Sequence, residues 1–156
     1  MKVLFVCMGN ICRSPTVEGV FHAMLSEHPE LSHVEADSAG THAYHVNEPP
    51  DPRSIEAARR RGIELDSLRA RAVSDSDFIH FDLIVAMDES NLEILQRICP
   101  EEHQTKLSLF LEEVNAPSGP ELPDPYYGGE TGFELVLDLA EQGCRHLIGV
   151  IKEGRR

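Results

Sequence analysis

The sequence predicts an α/β fold: a single domain with an open four-stranded parallel sheet, strand order 2-1-3-4, helices on both faces and a site-forming loop after strand 1. Three observations carry this. Short apolar runs such as Val3-Leu4-Phe5-Val6 alternate along the chain with stretches of helical periodicity. A strand followed each time by a helix calls for parallel pairing through right-handed crossovers. The nine residues Cys7-Met8-Gly9-Asn10-Ile11-Cys12-Arg13-Ser14-Pro15 join the first strand to the first helix, so their site lies at the carboxyl end of strand one, beside the point where strand order reverses.

The elements follow in order. Ser14-Pro15 reads as a cap with proline at the first helical position, and the helix extends to about His28, where Pro29 ends it. Val17, Val20, Phe21, Met24 and Leu25 form its apolar face, and Glu18 suits the dipole of its first turn. Residues 34–38 alternate as a second strand. Residues 40–52, with prolines and histidines, form a loop placed to rim a pocket. Asp51-Pro52 opens a second helix, with Ile55 and Ala58 inward, that Gly62 closes. Its Arg59-Arg60-Arg61 run is read as cations at a helix C-terminus, not as a phosphate site. Residues 81–87 form a third strand buried on both faces. Leu92, Ile94, Leu95 and Ile98 lie on a helix that Pro100 stops, and residues 106–110 form a short fourth strand. The irregular, proline-rich stretch 112–130 is long enough to be functional. In the last helix Thr131 and Glu134 are spaced as a capping box. Phe133, Val136, Leu137, Ala140, Cys144, Leu147, Ile148 and Ile151 form one stripe, which makes Cys144 core.

A chain of 156 residues with 41% hydrophobic and 26% charged side chains is expected to fold as one globular domain, 1–156. The apolar run near the N-terminus stops at Met8, too short for a membrane span or a signal peptide, so a cytoplasmic protein with reduced thiols is expected. A net charge of −13 disfavours nucleic acid and anionic membranes as partners. Any phosphate pocket must then be a local positive site on an acidic background.

The loop from Cys7 to Pro15 has that chemistry. A strand-to-helix loop aims the backbone N–H groups of residues 8 to 13 and the positive end of a helix at one spot. A thiol beside a helix N-terminus and a guanidinium is favoured as thiolate, which makes Cys7 the candidate nucleophile. Arg13 offers a planar fork for two phosphate oxygens. Gly9 lets the backbone approach a ligand, Asn10 tolerates a left-handed turn, and Ser14 is placed to donate to the Cys7 sulfur. Cys12, five residues after Cys7, is either a buried thiol or a partner that closes a protective disulfide across the loop. His42 and His45 lack a third ligand nearby and are read as loop residues, so no metal or cofactor is expected.

With these residues in view, the chain resembles the low-molecular-weight protein tyrosine phosphatases. Cys7 to Pro15 matches the phosphate loop. Asp37-Ser38-Ala39-Gly40-Thr41 resembles the family's second strand, Met87-Asp88-Glu89-Ser90-Asn91 its third strand end, and Asp124-Pro125-Tyr126-Tyr127 its acid loop. The resemblance implies a phosphotyrosine phosphatase that works through a cysteinyl-phosphate intermediate. In it Met8, Gly9, Asn10, Ile11, Cys12 and Arg13 bind phosphate, Asp124 is general acid and then base, and Ser14 and Ser38 support the loop. It implies a rim of Ile11, Tyr44, Tyr126 and Tyr127. It also implies tyrosine-phosphorylated proteins as partners, a tyrosine kinase as the opposing enzyme, and a monomer as the favoured state. Two positions depart from the pattern: Tyr44 stands where many relatives carry Trp, and Leu68 where many carry a histidine that supports the loop through Ser38, so that network is expected to be shorter. From the residues alone, Asp124-Pro125 also reads as a turn initiator.

Three alternatives share parts of this reading. A thiol-based arsenate reductase needs a close pair of further cysteines, whereas Cys99 and Cys144 stand 45 residues apart. A phosphoarginine phosphatase has Thr in the family pattern where this chain has Ile11. A module that binds phosphotyrosine without hydrolysis would be expected to have lost Cys7 or Asp124.

Overall fold

The computed structural model describes residues 1–116, 119–126 and 129–154. The chain runs β1 (Lys2–Cys7), α1 (Arg13–Leu25), β2 (Glu35–Gly40), α2 (Pro52–Arg59), α3 (Asp75–His80), β3 (Leu83–Ala86), α4 (Glu89–Ile98), β4 (Leu107–Leu109) and α5 (Glu130–Lys152). Turns of 3₁₀ helix occupy Pro29–Leu31 and Glu101–Lys106. The strands form one parallel sheet in the order β2-β1-β3-β4, as expected from the alternation of strands and helices.

Side-chain parity along β1 divides the core. Val3, Phe5 and Cys7 face the layer of α1, α2 and α5, while Leu4 and Val6 face α3 and α4. Phe5 is fully buried and meets Phe21 and Phe110 edge to face, with ring centroids 5.4 and 6.0 Å away. Truncating it to Ala would cost about 3–5 kcal/mol. This packing fixes the strand whose last residue is Cys7. Among the described residues no helix is long and apolar enough to cross a membrane.

Several expected boundaries shift. Helix α1 starts at Arg13 rather than at Pro15, and Cys12, not Ser14, stands at its cap position with no side-chain cap bond. It ends at Leu25 because Ser26, Glu27 and His28 close a run of turns on His22, Met24 and Leu25, and Pro29 opens the 3₁₀ turn instead of ending the helix. Strand β2 extends to Gly40, whose N–H pairs with Arg71. β3 and β4 are shorter at both ends than the apolar runs. Helix α3 was not expected from the sequence. Asp51 caps α2 through Arg53 N–H at 2.8 Å, and Gly62 takes a φ of 78°, beyond the helix end. The capping box expected at Thr131 and Glu134 does not form: α5 begins at Glu130, and the Glu134 carboxylate instead takes Arg60 and Arg61 at 3.1 and 2.8 Å.

Candidate active site

β1 delivers Cys7 to the carboxyl end of the sheet, between β2 and β3. The backbone then turns into α1 with Asn10 in the left-handed region, at a φ of 59°. The end of β2 runs along this turn: Thr41 N–H donates to Cys7 O at 2.9 Å and His42 N–H to Met8 O at 3.0 Å. The approach requires Gly40, because a Cβ there would stand 2.7 Å from Met8 O. Asp51 N–H donates to Ile11 O at 2.8 Å, which ties the 41–51 loop to the other limb of the turn.

Polar side chains beneath the turn set one hydrogen-bond direction. Asn10 Oδ1 accepts from Arg71 N–H at 3.0 Å, which turns Nδ2 toward Ser14 Oγ at 2.8 Å and Ser38 Oγ at 2.9 Å. Nδ2 can only donate, so both hydroxyls accept and keep their own protons for other partners. Ser14 Oγ lies 3.0 Å from Cys7 Sγ, and Ser38 Oγ donates to Glu18 Oε1 at 2.6 Å. Asn10 N–H points at the same sulfur, 3.3 Å away. The sulfur therefore faces donors, the arrangement that suits a thiolate.

Arg13 lies at the start of α1, and its side chain is only 3% exposed. Its Nη1 donates to Asp88 Oδ2 at 2.6 Å and to Leu122 O at 3.0 Å, and Nη2 lies 3.7 Å from Asp124 Oδ2. Asp88 also caps α4, through Asn91 N–H on Oδ1 at 2.8 Å, so one carboxylate orients the guanidinium and starts a helix. Burial works against the charge on Arg13, but Cys7, Asp88 and Asp124 outweigh it and push its pKa up. Leu122 N–H donates to Met87 O at 2.8 Å, which anchors the segment carrying Asp124 to the end of β3.

Above the turn lies a pocket of about 200 Å³ lined by Cys7, Met8, Gly9, Ile11, Cys12, Arg13, Tyr44, His45, Asp124 and Tyr126. Tyr44 stacks on His42 with centroids 4.9 Å apart, and His45 bonds Glu48 at 2.8 Å while its ring lies against Gly9. Tyr126 faces Arg53, which Asp51 grips at 2.8 and 3.0 Å. Asp124 Oδ1 also accepts from Tyr126 N–H at 3.0 Å, so the turn reading and the pocket position hold together. Asp124 is partly exposed, and the next residue, Pro125, is buried. Tyr127, expected on the rim, lies outside the described residues. The Cys12 thiol is pushed up to about 12, first by burial and then by Asp51 and Cys7.

Of the expected site residues, Cys7 to Arg13 (save Asn10, which lies beneath), Tyr44, Asp124 and Tyr126 meet at this pocket, and Ser14 and Ser38 lie beneath it. Sequence reasoning did not assign Asp88, Asp51, Arg53, His45 or Glu18. Asp88 and Asp51 carried a legible signal as caps ahead of helices, but their contacts with Arg13 and Ile11 are tertiary. Arg61 lies elsewhere, paired with Glu134, Asp138 and Glu141 of α5, as a structural reading of the arginine run requires. Cys99 packs in the core on the α3/α4 face and Cys144 on the α1/α5 face, both with thiols raised by burial. Neither lines the pocket.

A strand-to-helix turn at the switch point of a four-stranded parallel sheet, with a sulfur, a buried guanidinium and a carboxylate on one pocket, is the architecture of a phosphatase fold. The family model for low molecular weight phosphotyrosine protein phosphatase matches residues 2–156, and the chain belongs to that family. The low molecular weight protein-tyrosine-phosphatase YfkJ of Bacillus subtilis is 36% identical over 156 residues, covering 100% of this chain and 99% of the relative. The human low molecular weight phosphotyrosine protein phosphatase is 38% identical over 148 residues, 92% of this chain and 91% of the relative. A crystal structure of a protein tyrosine phosphatase from Entamoeba histolytica, with Hepes in its active site, superposes with a TM-score of 0.95 at 41% identity, covering 100% of this chain and 99% of that one.

Proposed function

We propose that this chain hydrolyses phosphotyrosine monoesters through a cysteinyl-phosphate intermediate. The observation that carries the reading is that Cys7 Sγ, the buried Arg13 fork and the Asp124 carboxylate line one pocket. Cys7 thiolate attacks phosphorus in line, an S–P bond forms and the P–O bond to the tyrosyl oxygen breaks. The backbone N–H groups of residues 8 to 13 and the Arg13 guanidinium hold the equatorial oxygens, where charge concentrates. Asp124 gives its proton to the departing phenoxide, which without it would leave as an anion of pKa about 10. The ionised Asp124 then takes a proton from water, whose oxygen attacks phosphorus and displaces the Cys7 sulfur. Ser14 donates to that sulfur in both steps.

The position of Tyr44, Tyr126 and Ile11 on the same pocket as Cys7 supports selection of the long phosphotyrosine side chain over phosphoserine. Ile11 packs on an aromatic ring, which favours tyrosine over a phosphoguanidinium. The partners are then tyrosine-phosphorylated proteins and, opposing the enzyme, the kinase that makes them. Cys12 acts as the resolving thiol once a peroxide has oxidised Cys7 to its sulfenic acid: the Cys12 sulfur attacks the Cys7 sulfur, the S–S bond forms as the S–O bond breaks, and the Cys12 proton leaves with the hydroxyl as water.

The test is a set of initial rates on phosphotyrosine, phosphoserine and phosphoarginine peptides, for the parent and for Cys7→Ser. We expect turnover of the phosphotyrosine peptide by far the fastest, and none by Cys7→Ser. Equal rates for parent and variant, or a preference for phosphoarginine, would overturn the proposal.

A further inference from the structure

Of the two histidines that the sequence places near Tyr44, His45 lines the pocket and His42 does not. The reaction above gives His42 no part. Its ring nevertheless stacks on a residue that does line the pocket. Tyr44 is 67% exposed, and a tyrosine so open to water moves among several rotamers unless its ring is held. The His42 imidazole covers one face of that ring, with centroids 4.9 Å apart and planes 14° from parallel.

The imidazole is itself held. His42 N–H donates to Met8 O at 3.0 Å and Thr41 N–H to Cys7 O at 2.9 Å, so these two residues are stitched to the first limb of the Cys7 turn. Thr41 Oγ1 lies 2.9 Å from His42 Nδ1, which fixes the edge of the ring and leaves its face to Tyr44. A path of contacts therefore runs from the backbone at the reacting sulfur, through Thr41 and His42, to the rim. An imidazole suits that place because its edge takes a hydrogen bond while its face stacks. We propose that His42 is a positioning residue for substrate selection: it holds the Tyr44 ring in register with Cys7, so that the pocket favours aromatic over alkyl phosphomonoesters. Without the stack, a ligand ring has to order Tyr44 as it binds, and that ordering counts against affinity. A phosphoryl group alone meets no such cost, because the Cys7 turn and Arg13 bind it.

This role rests on the pocket taking a phosphomonoester at Cys7, as proposed above, so two readouts are needed. One is calorimetric binding of phenylphosphonate, methylphosphonate and inorganic phosphate, which requires no turnover. The other is kcat and KM on a phosphotyrosine peptide. His42→Ala is expected to weaken phenylphosphonate about fivefold, the scale of one aromatic pair, and to leave methylphosphonate and inorganic phosphate at parental affinity. KM for the peptide should rise by about the same factor with kcat little changed. His42→Phe keeps a ring against Tyr44 and is expected to recover most of the loss. Because His42 acts through Tyr44, the double variant His42→Ala, Tyr44→Ala should bind phenylphosphonate no worse than Tyr44→Ala alone.

Parental phenylphosphonate affinity in a folded His42→Ala would overturn the proposal, as would equal losses for phenylphosphonate and inorganic phosphate, which would make His42 a prop of the turn itself. A His42→Phe no better than His42→Ala, or additive losses in the double variant, would overturn it too. Should His42→Ala not fold, His42→Gln, which keeps a polar side chain without a ring, must show the same loss confined to phenylphosphonate, and parental affinity there would overturn it equally. A parent that binds the three ligands as described but hydrolyses no phosphotyrosine would instead overturn the proposed function and leave the positioning role standing.

Discussion

The turn that holds Cys7 and the arm that carries Asp124 face each other across one pocket but are built on opposite plans. In the turn, Cys7, Asn10, Cys12, Arg13 and Ser14 are all buried, and the side chains of Cys7, Asn10, Arg13 and Ser14 are each held by a partner that is itself held. Among the described residues of the arm, Leu122 is anchored through Met87 and Arg13 and Pro125 is buried, with Asp124 between them partly open to solvent. The difference suits the tasks proposed for the two regions. Charge on a transferring phosphoryl group is best met by dipoles already in place, whereas a proton donor must also exchange its proton with water.

The comparison predicts unequal costs. Arg13→Lys puts a point charge where a buried fork was and leaves Asp88 and Asp124 short of donors. A loss of roughly 10²–10³ in kcat/KM is expected on every substrate, checked by steady-state rates on a series of aryl phosphates. Asp124→Ala should cost about 10² on phosphotyrosine and progressively less as the leaving phenol becomes more acidic. A loss that ignored leaving-group acidity would place the proton source elsewhere. Asp88→Asn retains the α4 cap but weakens the grip on Arg13; about a tenfold fall in kcat/KM with a near-parental melting temperature would separate orientation from folding.

The smallest effect concerns Cys12. After mild peroxide, intact mass should fall by two hydrogens, mapped to Cys7 and Cys12. A thiol pushed up to about 12 stays protonated across the ordinary range. Disulfide closure should therefore keep accelerating with pH well above the pH where free thiols level off, and Asp51→Asn, which removes one of the charges that raise the thiol, should speed it near neutrality. Closure that levels off in the ordinary thiol range would contradict this.

The same contrast explains what could be read from the sequence. The turn is contiguous, so residues 7 to 15 display its strand, glycine, arginine and helix start in one stretch, and sheet order followed from alternation. The parts that were missed depend on distant residues. Glu18 looked like a first-turn acid because nothing local shows that Ser38 lies beside it. Asp88 caps α4 with one oxygen, but its other oxygen reaches Arg13, 75 residues away in sequence. Helix α3 has only Phe78 and Ile79 as apolar residues among Asp75 to His80, too short for periodicity to register; Ser74 N–H on Asp77 Oδ2 at 2.8 Å and the buried Phe78 ring sustain it. Thr131 and Glu134 had the spacing of a capping box, but Arg60 and Arg61 compete for the same carboxylate and win.

The central claim is that phosphorus passes to the Cys7 sulfur. Rapid acid quench of Asp124→Ala during turnover of an aryl phosphate, followed by peptide mass analysis, tests it directly, because slowed hydrolysis lets the intermediate accumulate. The mass of one phosphoryl group on the peptide containing Cys7, absent in Cys7→Ser, is the predicted result. Turnover with that peptide unmodified at every quench time, or the phosphoryl mass on another residue, would contradict it.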